Sequence, residues 1–257
     1  MLGAITGDIV GSVYEFNNYR AKDFQPLFHP EAKFTDDTVC TVAVADVLVN
    51  DRDPAATLQA WCRRYESNGG WGQRFALWIG ADDPQPYNSF GNGAAMRVSP
   101  AGLLARTLDE ALAFATRVTE VTHNHPEGLK AAQATAAAIW MARERLTAEQ
   151  IRHALSARFG YRLDTTVAAI RPTYRFTEAS QDSVPQALVC ALEAVGFEDA
   201  LRNAVSIGGD SDTIAAIAGA VAEARFGIPD AIASRTLGYL PDDMLRVMKR
   251  LYQVAQR

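Results

Sequence analysis

Apolar residues recur along this chain mostly at helical spacing, and two stretches are apolar almost all round. Residues 38–50 read TVCTVAVADVLVN, and residues 213–224 read TIAAIAGAVAEA. A helix that is apolar on every side is typical of the centre of a bundle, so we predict two central helices. The β-branched residues of 38–50 also suit a strand, but the preceding Thr35-Asp36-Asp37 is typical of a helix N-terminus.

The first segment, residues 3–16, reads GAITGDIVGSVYEF and is predicted to be a helix. Gly3, Gly7 and Gly11 are four residues apart and so lie on one helix face. Each glycine costs a helix about 1 kcal/mol relative to alanine, and close packing must offset that cost. The spacing therefore predicts tight contact with a second helix.

The rest of the chain alternates between amphipathic segments and irregular polar stretches at 17–34, 68–99 and 160–183. Caps at Asp109 and Thr147 mark helix starts, as does the Pro241 that opens the last segment. No alternation of strands with helices is visible, so the pattern predicts an all-α fold rather than a Rossmann or P-loop fold. The further predicted helices are 53–67, 100–106, 108–122, 126–143, 147–158, 184–195, 197–204, 212–226, 230–236 and 241–255.

Composition narrows the class of protein without naming a function. The chain has 257 residues, of which 48% are hydrophobic, and a net charge of -5. It shows no linker or repeat, so we predict one domain over 1–257. Its basic residues are scattered, which argues against binding duplex nucleic acid but leaves room for a small anionic ligand.

The three cysteines and the N-terminus indicate a reducing compartment. Cys40, Cys62 and Cys190 have no spacing typical of a disulfide framework or a zinc site, so we predict three buried free thiols. The first residues lack a basic leader, and no apolar run reaches the ~18 residues that span a bilayer. We therefore expect a cytoplasmic protein without membrane segments, and a monomer.

Two short acidic segments carry the candidate chemistry. Residues 35–38 read TDDT and residues 208–213 read GGDSDT, each at the start of a predicted helix. Carboxylate and hydroxyl oxygens are the ligands that Mg²⁺ and Mn²⁺ select, and two such segments could bracket cations about 3.5–4 Å apart. Ser211 is not a candidate nucleophile, because the flanking aspartates disfavour an alkoxide and no Gly-x-Ser-x-Gly motif is present.

Helix capping offers a simpler explanation of these aspartates, since Asp is favoured at any helix N-terminus. The pairs Asp82-Asp83 and Asp242-Asp243 show that adjacent aspartates recur in this chain. The candidate segments differ from those pairs because they lead into the two central helices. Several carboxylates buried together would repel one another unless a cation neutralised them.

At the level of whole motifs the chain resembles the ADP-ribosylglycohydrolase family, hydrolases typified by the enzyme that removes ADP-ribose from dinitrogen reductase. The likeness reaches from the first helix to residue 226. It implies a compact, orthogonal all-α bundle with a centre of two Mg²⁺ or Mn²⁺ ions. The matching segments are GAITGDIVGSVYEF (3–16), FTDDT (34–38), GNGAAMRVSP (91–100), THNHPEG (122–128) and GGDSDT (208–213).

The resemblance also implies roles for individual residues. It places Glu15 beside the metals and the substrate ribose, with Asp36 and Asp212 as the other candidate acid–base residues. For Asp8, direct metal ligation and a buried supporting role next to the ligands are both possible, and we do not count it as a ligand. The implied metal ligands are Thr35, Asp36, Asp37, Asp210, Asp212 and Thr213.

The loop at 88–97 and a following histidine would bind the nucleotide. Glycines let backbone N–H groups converge on diphosphate oxygens, although a surface turn would have the same composition. His123 is preferred to His125 because only the Thr-His pair matches the family; a hydrogen-bonded structural histidine is the alternative. Tyr87, Phe90, Trp71 and Trp78 could stack on adenine or simply pack in the core. The implied substrate-binding residues are Gly91, Asn92, Gly93, Ala94, Met96 and His123.

These observations predict a hydrolase that cleaves the bond between ADP-ribose and an acceptor, most simply an arginine side chain, on a protein or a small ADP-ribosyl substrate. Two other functions stay open: an ADP-ribose-binding protein without catalysis, and a two-metal phosphoesterase. The intact set of acidic residues favours an enzyme over a binder. We expect the loops 17–34, 68–88 and 160–183 to shape the choice of acceptor.

Overall fold

A computed structural model of the protein describes residues 1–256, and every regular element within them is helical. One isolated antiparallel bridge joins Gly91 to Ala179. The all-α prediction is confirmed. The helices are α1 (Leu2–Gly11), α2 (Asp36–Asn50), α3 (Pro54–Arg64), α4 (Gln73–Gly80), α5 (Gly93–Met96), α6 (Ser99–Leu104), α7 (Leu108–Thr119), α8 (Pro126–Arg143), α9 (Ala148–Phe159), α10 (Val167–Ile170), α11 (Ser180–Glu193), α12 (Phe197–Ile207), α13 (Ser211–Phe226), α14 (Asp230–Leu237) and α15 (Asp242–Ala255), with a 3₁₀ turn at Glu66–Asn68.

The two helices that were predicted to be central are buried along most of their length. In α13 every residue from Ser211 to Ala222 is buried, and in α2 every residue from Asp37 to Val47. The carboxylates at their N-termini are therefore held inside the protein. The three cysteines are buried free thiols, as predicted. No helix among residues 1–256 is long and apolar enough to cross a membrane.

Several predicted boundaries were wrong, and local contacts give the reasons. The first helix ends at Gly11 rather than residue 16, because Ser12 turns its hydroxyl back to the Ile9 carbonyl and Tyr14 N–H bonds Gly11 in a turn. The start of α7 is capped by Thr107, whose side chain accepts from Glu110 N–H, and not by Asp109. The capping box at Thr147 is confirmed.

Two stretches that were predicted to be irregular contain short helices. Residues 68–99 include α4, which buries Phe75, Trp78 and Ile79 on one face. Residues 160–183 include α10 and the first turn of α11, which begins before Pro185. Gln59 donates to the Trp78 carbonyl in α4, and Glu193 accepts from Val167 N–H at the start of α10, and such contacts from other segments are not visible in local composition.

The closest helix contact joins α1 to α13. A Cβ placed on Gly7 would overlap the Ala215 carbonyl, and one placed on Gly11 would lie 2.5 Å from the Cα of Asp212. Gly3 and Gly219 face each other in the same way. The glycine face predicted from the sequence is therefore a backbone-to-backbone contact, and it sets the end of α1 against the acidic start of α13.

This contact predicts a large cost for a single methyl group. We expect Gly7→Ala to lower the free energy of unfolding by about 3 kcal/mol or more, because neither backbone can move without separating the helices. At this chain length that loss lowers the melting temperature by roughly 6–12 °C. Gly80→Ala is the matched control, since it changes a helical glycine with no neighbouring atom within 4 Å. Equal melting temperatures for the two variants would contradict the prediction.

Candidate active site

The acidic segments line one cleft with a volume of about 480 Å³. Its walls come from the turn after α1, the N-termini of α2 and α13, the segment before α4, and the loop that leads into α5. The cleft brings together residues that are far apart in the sequence. Among the residues predicted to be functional, those that line it are Glu15, Thr35, Asp36, Asp37, Gly91, Asn92, Gly93, Met96, His123, Asp210, Asp212 and Thr213.

The two acidic segments meet at the floor of the cleft. Thr213 Oγ1 donates a hydrogen bond to Asp37 Oδ2 over 3.1 Å. Carboxylate oxygens of Asp8, Asp37 and Asp212 lie within 4.8 Å of one another, and the same holds for Glu15, Asp210 and Asp212. Asp212 belongs to both groups, so the structure forms one continuous cluster of acidic side chains.

Burial makes this cluster electrostatically unfavourable by itself. Burial, followed by repulsion from neighbouring carboxylates, raises the pKa of Asp37 and Asp212 well above the usual range. Burial and then repulsion from Asp210 raise the pKa of Glu15 to about 7. Within residues 1–256 no Lys, Arg or His forms an ion pair with these groups. No protein cation therefore offsets the repulsion that arises in the cluster when its carboxyl groups ionise.

The donor set fits divalent cations. Asp37 Oδ1 is buried and has no hydrogen-bond partner, so one oxygen at the centre of the cluster is left for a ligand. Carboxylate and threonine oxygens are the donors that Mg²⁺ and Mn²⁺ prefer. A buried oxygen without a partner costs free energy, which a bound cation would recover.

Asp8 holds the segment before α2 in place. Its two carboxylate oxygens accept hydrogen bonds from the N–H groups and the hydroxyls of Thr35 and Thr38. These bonds fix the N-terminus of α2 against α1. Burial raises the pKa of Asp8 to about 6, although the hydrogen bonds oppose that rise.

The loop that leads into α5 differs from the expected nest of free N–H groups. The N–H groups of Gly91, Asn92, Ala94 and Met96 all donate to acceptors within the protein. Gly93 N–H has no acceptor among residues 1–256, and the buried Ala94 does not line the cleft. Asn92 instead uses its side chain, which donates to Asp210 Oδ2 over 2.6 Å and joins the loop to the acidic cluster.

His123 faces the same loop. A Cβ on Gly93 would lie 3.2 Å from its Nε2, while Nδ1 lies 2.8 Å from the Thr122 hydroxyl. Burial and the nearby Arg97 hold the pKa of His123 well below its usual range, so the ring is neutral at pH 7. His125 lies outside the cleft, where it caps α8 by accepting from Glu127 N–H.

Some cleft residues escaped the sequence analysis. Arg74 lies over the ring of Tyr87, with 4.9 Å between the guanidinium carbon and the ring centroid, and Gly70 N–H donates to Asp36 Oδ1 over 3.1 Å. Glu178 also lines the cleft. No motif marks these residues, because loops separated in the sequence bring them together. Of the four aromatic candidates for stacking, only Tyr87 lines the cleft; Trp71, Trp78 and Phe90 do not.

Comparison with known proteins connects this geometry to a family. A model of the family described as ADP-ribosylglycohydrolase matches residues 1–257. The ADP-ribosylarginine hydrolase Tri1 of Pseudomonas putida (strain GB-1) is 26% identical over 89% of this chain and 70% of its own length. An uncharacterized protein of Archaeoglobus fulgidus is 33% identical over 54% of this chain and 50% of its own length.

A solved structure supports the same fold. The chain aligns with an ADP-ribosylglycohydrolase-related protein complex at a TM-score of 0.70 and 24% identity, over 99% of this chain and 97% of the other. At that identity the likeness concerns the fold alone. The family match, in contrast, extends over the whole sequence, and the protein therefore belongs to the ADP-ribosylglycohydrolase family.

Proposed function

We propose that this hydrolase uses two Mg²⁺ or Mn²⁺ ions to cleave the bond between ADP-ribose and an arginine side chain. The observation that carries the proposal is the convergence of carboxylates from α1, the turn after it, α2 and α13 on one cleft. The Pseudomonas relative is an ADP-ribosylarginine hydrolase, which supports arginine as the acceptor.

The acidic cluster would hold the two cations, with the start of α2 on one side and the start of α13 on the other. The unpartnered Asp37 Oδ1 and the lack of balancing protein cations support this assignment. When bound, such cations polarise coordinated hydroxyl groups and water. The proposed ligands are Thr35, Asp36, Asp37, Asp210, Asp212 and Thr213.

Glu15 is our candidate for proton transfer. Its carboxylate lies within 4.8 Å of those of Asp210 and Asp212, so it is placed to exchange a proton with a water molecule bound beside them. In the proposed reaction the bond from C1″ to the guanidino nitrogen breaks, and a water oxygen bonds to C1″. One proton of that water passes to Glu15 and then to the leaving nitrogen, which gives ADP-ribose and arginine. Asp36 and Asp212 are the alternative bases.

The part of the cleft around Tyr87 and His123, away from Glu15, would bind the nucleotide. Tyr87 and the Arg74 guanidinium that lies over its ring offer planar surfaces for adenine, and the neutral His123 presents Nε2 beside the free N–H of Gly93. Asn92 and Met96 complete this wall. The volume of about 480 Å³ lies in the usual range for sites that enclose a small ligand.

The first experiment follows hydrolysis of ADP-ribosyl-arginine by the purified protein. We expect release of ADP-ribose that EDTA abolishes and that added Mg²⁺ or Mn²⁺ restores. Release of AMP would instead indicate a phosphoesterase, and binding of ADP-ribose without turnover of any linkage would indicate a binding protein. If the protein cleaves only serine-linked or nucleic-acid-linked ADP-ribose, the reaction is correct but the proposed arginine acceptor is wrong.

Removing one shared carboxylate should remove metal and activity together. We expect Asp212→Asn to lower kcat/KM by about 100-fold or more and to reduce the metal content measured by elemental analysis. Without metal the variant should melt no lower than the wild type, since one repelling buried charge is gone. Asp242→Asn, at the exposed N-terminus of α15, is the matched control and should keep full activity. Full turnover by Asp212→Asn would refute the assignment.

Metal affinity should depend on pH because protons compete with the cations. The pKa of the proposed ligands Asp37 and Asp212 is raised well above the usual range, and that of the neighbouring Glu15 to about 7, so these groups take up protons as the pH falls from 8 to 5. A cation must displace those protons, and we expect the Kd for Mg²⁺ to rise by about tenfold per pH unit for each proton displaced. Titration calorimetry at pH 5, 6, 7 and 8 measures the trend. A Kd that stays constant over that range would contradict the prediction.

A further inference from the structure

A series of contacts connects the residues of the cleft. Arg74 packs on Tyr87, and the Tyr87 ring lies 6.1 Å from the ring of His123. His123 faces Gly93, whose neighbour Asn92 bonds Asp210. Asp210 shares a cluster with Glu15, and Phe16 follows Glu15 in the chain. Along this series of contacts, Tyr87, where we propose that the nucleotide binds, and Phe16 lie on opposite sides of the acidic cluster.

Phe16 is unusually exposed for a phenylalanine at the wall of a cleft. Its exposed fraction is 87%, and that of Phe176 is 47%. The two rings stack on each other, with 6.4 Å between their centroids and 26° between their planes. Phe16 lines the cleft, and Phe176, which is not part of its lining, stacks on Phe16, so the pair extends the cleft wall with exposed aromatic surface.

Charges on the side of Phe16 favour a cationic partner. Glu15 and Glu178 both line the cleft, and they lie close enough that Glu178 contributes to the raised pKa of Glu15 after burial, Asp210 and Asp36. Of the basic side chains that line the cleft, Arg74 lies over Tyr87 and Arg97 lies beside His123. Only Lys33 is left to balance the two glutamates.

Arg175, which precedes Phe176 in the chain, does not stack on either phenylalanine ring. Its guanidinium folds back and donates to the carbonyls of Pro172 and Tyr174. The aromatic faces therefore have no protein cation stacked on them within residues 1–256. A planar cation from a ligand could take that position.

We propose that Phe16 and Phe176, together with Glu178, form the acceptor subsite and select a guanidinium-bearing arginine. The aromatic faces would stack on the planar guanidinium and the aliphatic part of the side chain, while Glu178 would pair with its charge. This inference rests on the proposed function and adds the residues that determine the acceptor. A neutral serine acceptor would gain neither interaction.

The test compares substrate turnover with product binding. In the Phe16→Ala/Phe176→Ala double variant we expect KM for an ADP-ribosyl-arginine peptide to rise by about tenfold, with little change in kcat. The Kd for free ADP-ribose, measured by calorimetry, should not change, because that product lacks the acceptor. Glu178→Gln should raise KM in the same direction. The matched control is Phe226→Ala, which removes a phenylalanine that is 40% exposed and lies outside the cleft.

Conservative variants distinguish stacking on an aromatic ring from the effect of side-chain volume. Phe16→Tyr/Phe176→Tyr keeps the aromatic faces and should retain the wild-type KM, whereas Phe16→Leu/Phe176→Leu should not. A leucine pair with the wild-type KM would overturn recognition by the aromatic faces. An unchanged KM in the alanine double variant, or an equal loss of ADP-ribose affinity, would overturn the subsite while the proposed function stands. A wild type that cleaves no ADP-ribosyl linkage would refute both.

Discussion

At Gly7 the backbone of α1 rests directly on the Ala215 carbonyl of α13, and at Gly11 it rests on Asp212. No side chain separates the helices along this face, so their relative position is fixed by backbone atoms rather than by adaptable rotamers. Asp8 lies on α1 between these two glycines and Asp212 lies at the start of α13. The packing of two apolar helices thereby determines how close the buried carboxylates are.

That closeness has an electrostatic cost, which the surrounding structure has to offset. Burial raises the pKa of Asp37 and Asp212, and repulsion between them adds to the effect. The apolar lengths of α2 and α13 supply the compensating stabilisation, since their burial cannot be achieved without also burying their acidic N-termini. The burial of these two helices thereby holds the acidic side chains together despite their repulsion.

The sequence predicts the parts of the protein in which local pattern and tertiary environment agree. The glycine spacing in 3–16 and the apolar runs behind 35–38 and 208–213 predicted the central helices, and the resemblance to the family added Glu15 to the two acidic segments. The order of contacts along the cleft could not be predicted in the same way. Arg74 meets Tyr87, and Phe16 meets Phe176, only because loops from distant parts of the chain lie side by side.

The early end of α1 shows most clearly why local sequence was insufficient there. Residues 12–16 continue a helical pattern, yet the chain leaves the helix and Asn18 stabilises the turn from outside it. The Asn18 amide donates to the carbonyls of Glu15 and Gly209, and its Oδ1 accepts from Gly209 N–H over 2.8 Å. Gly209 has a φ of +80°, a conformation that glycine adopts without strain.

One side chain therefore joins the turn that carries Glu15 to the turn that carries Asp210. Had α1 continued to residue 16, Glu15 would have followed the helix axis and lost this connection to Gly209. Because Asn18 bonds backbone atoms of both turns, it fixes the position of one turn relative to the other. The spacing between the proposed proton-transfer residue and the proposed metal ligands thus depends on a hydrogen-bonded asparagine outside the motifs that identify the family.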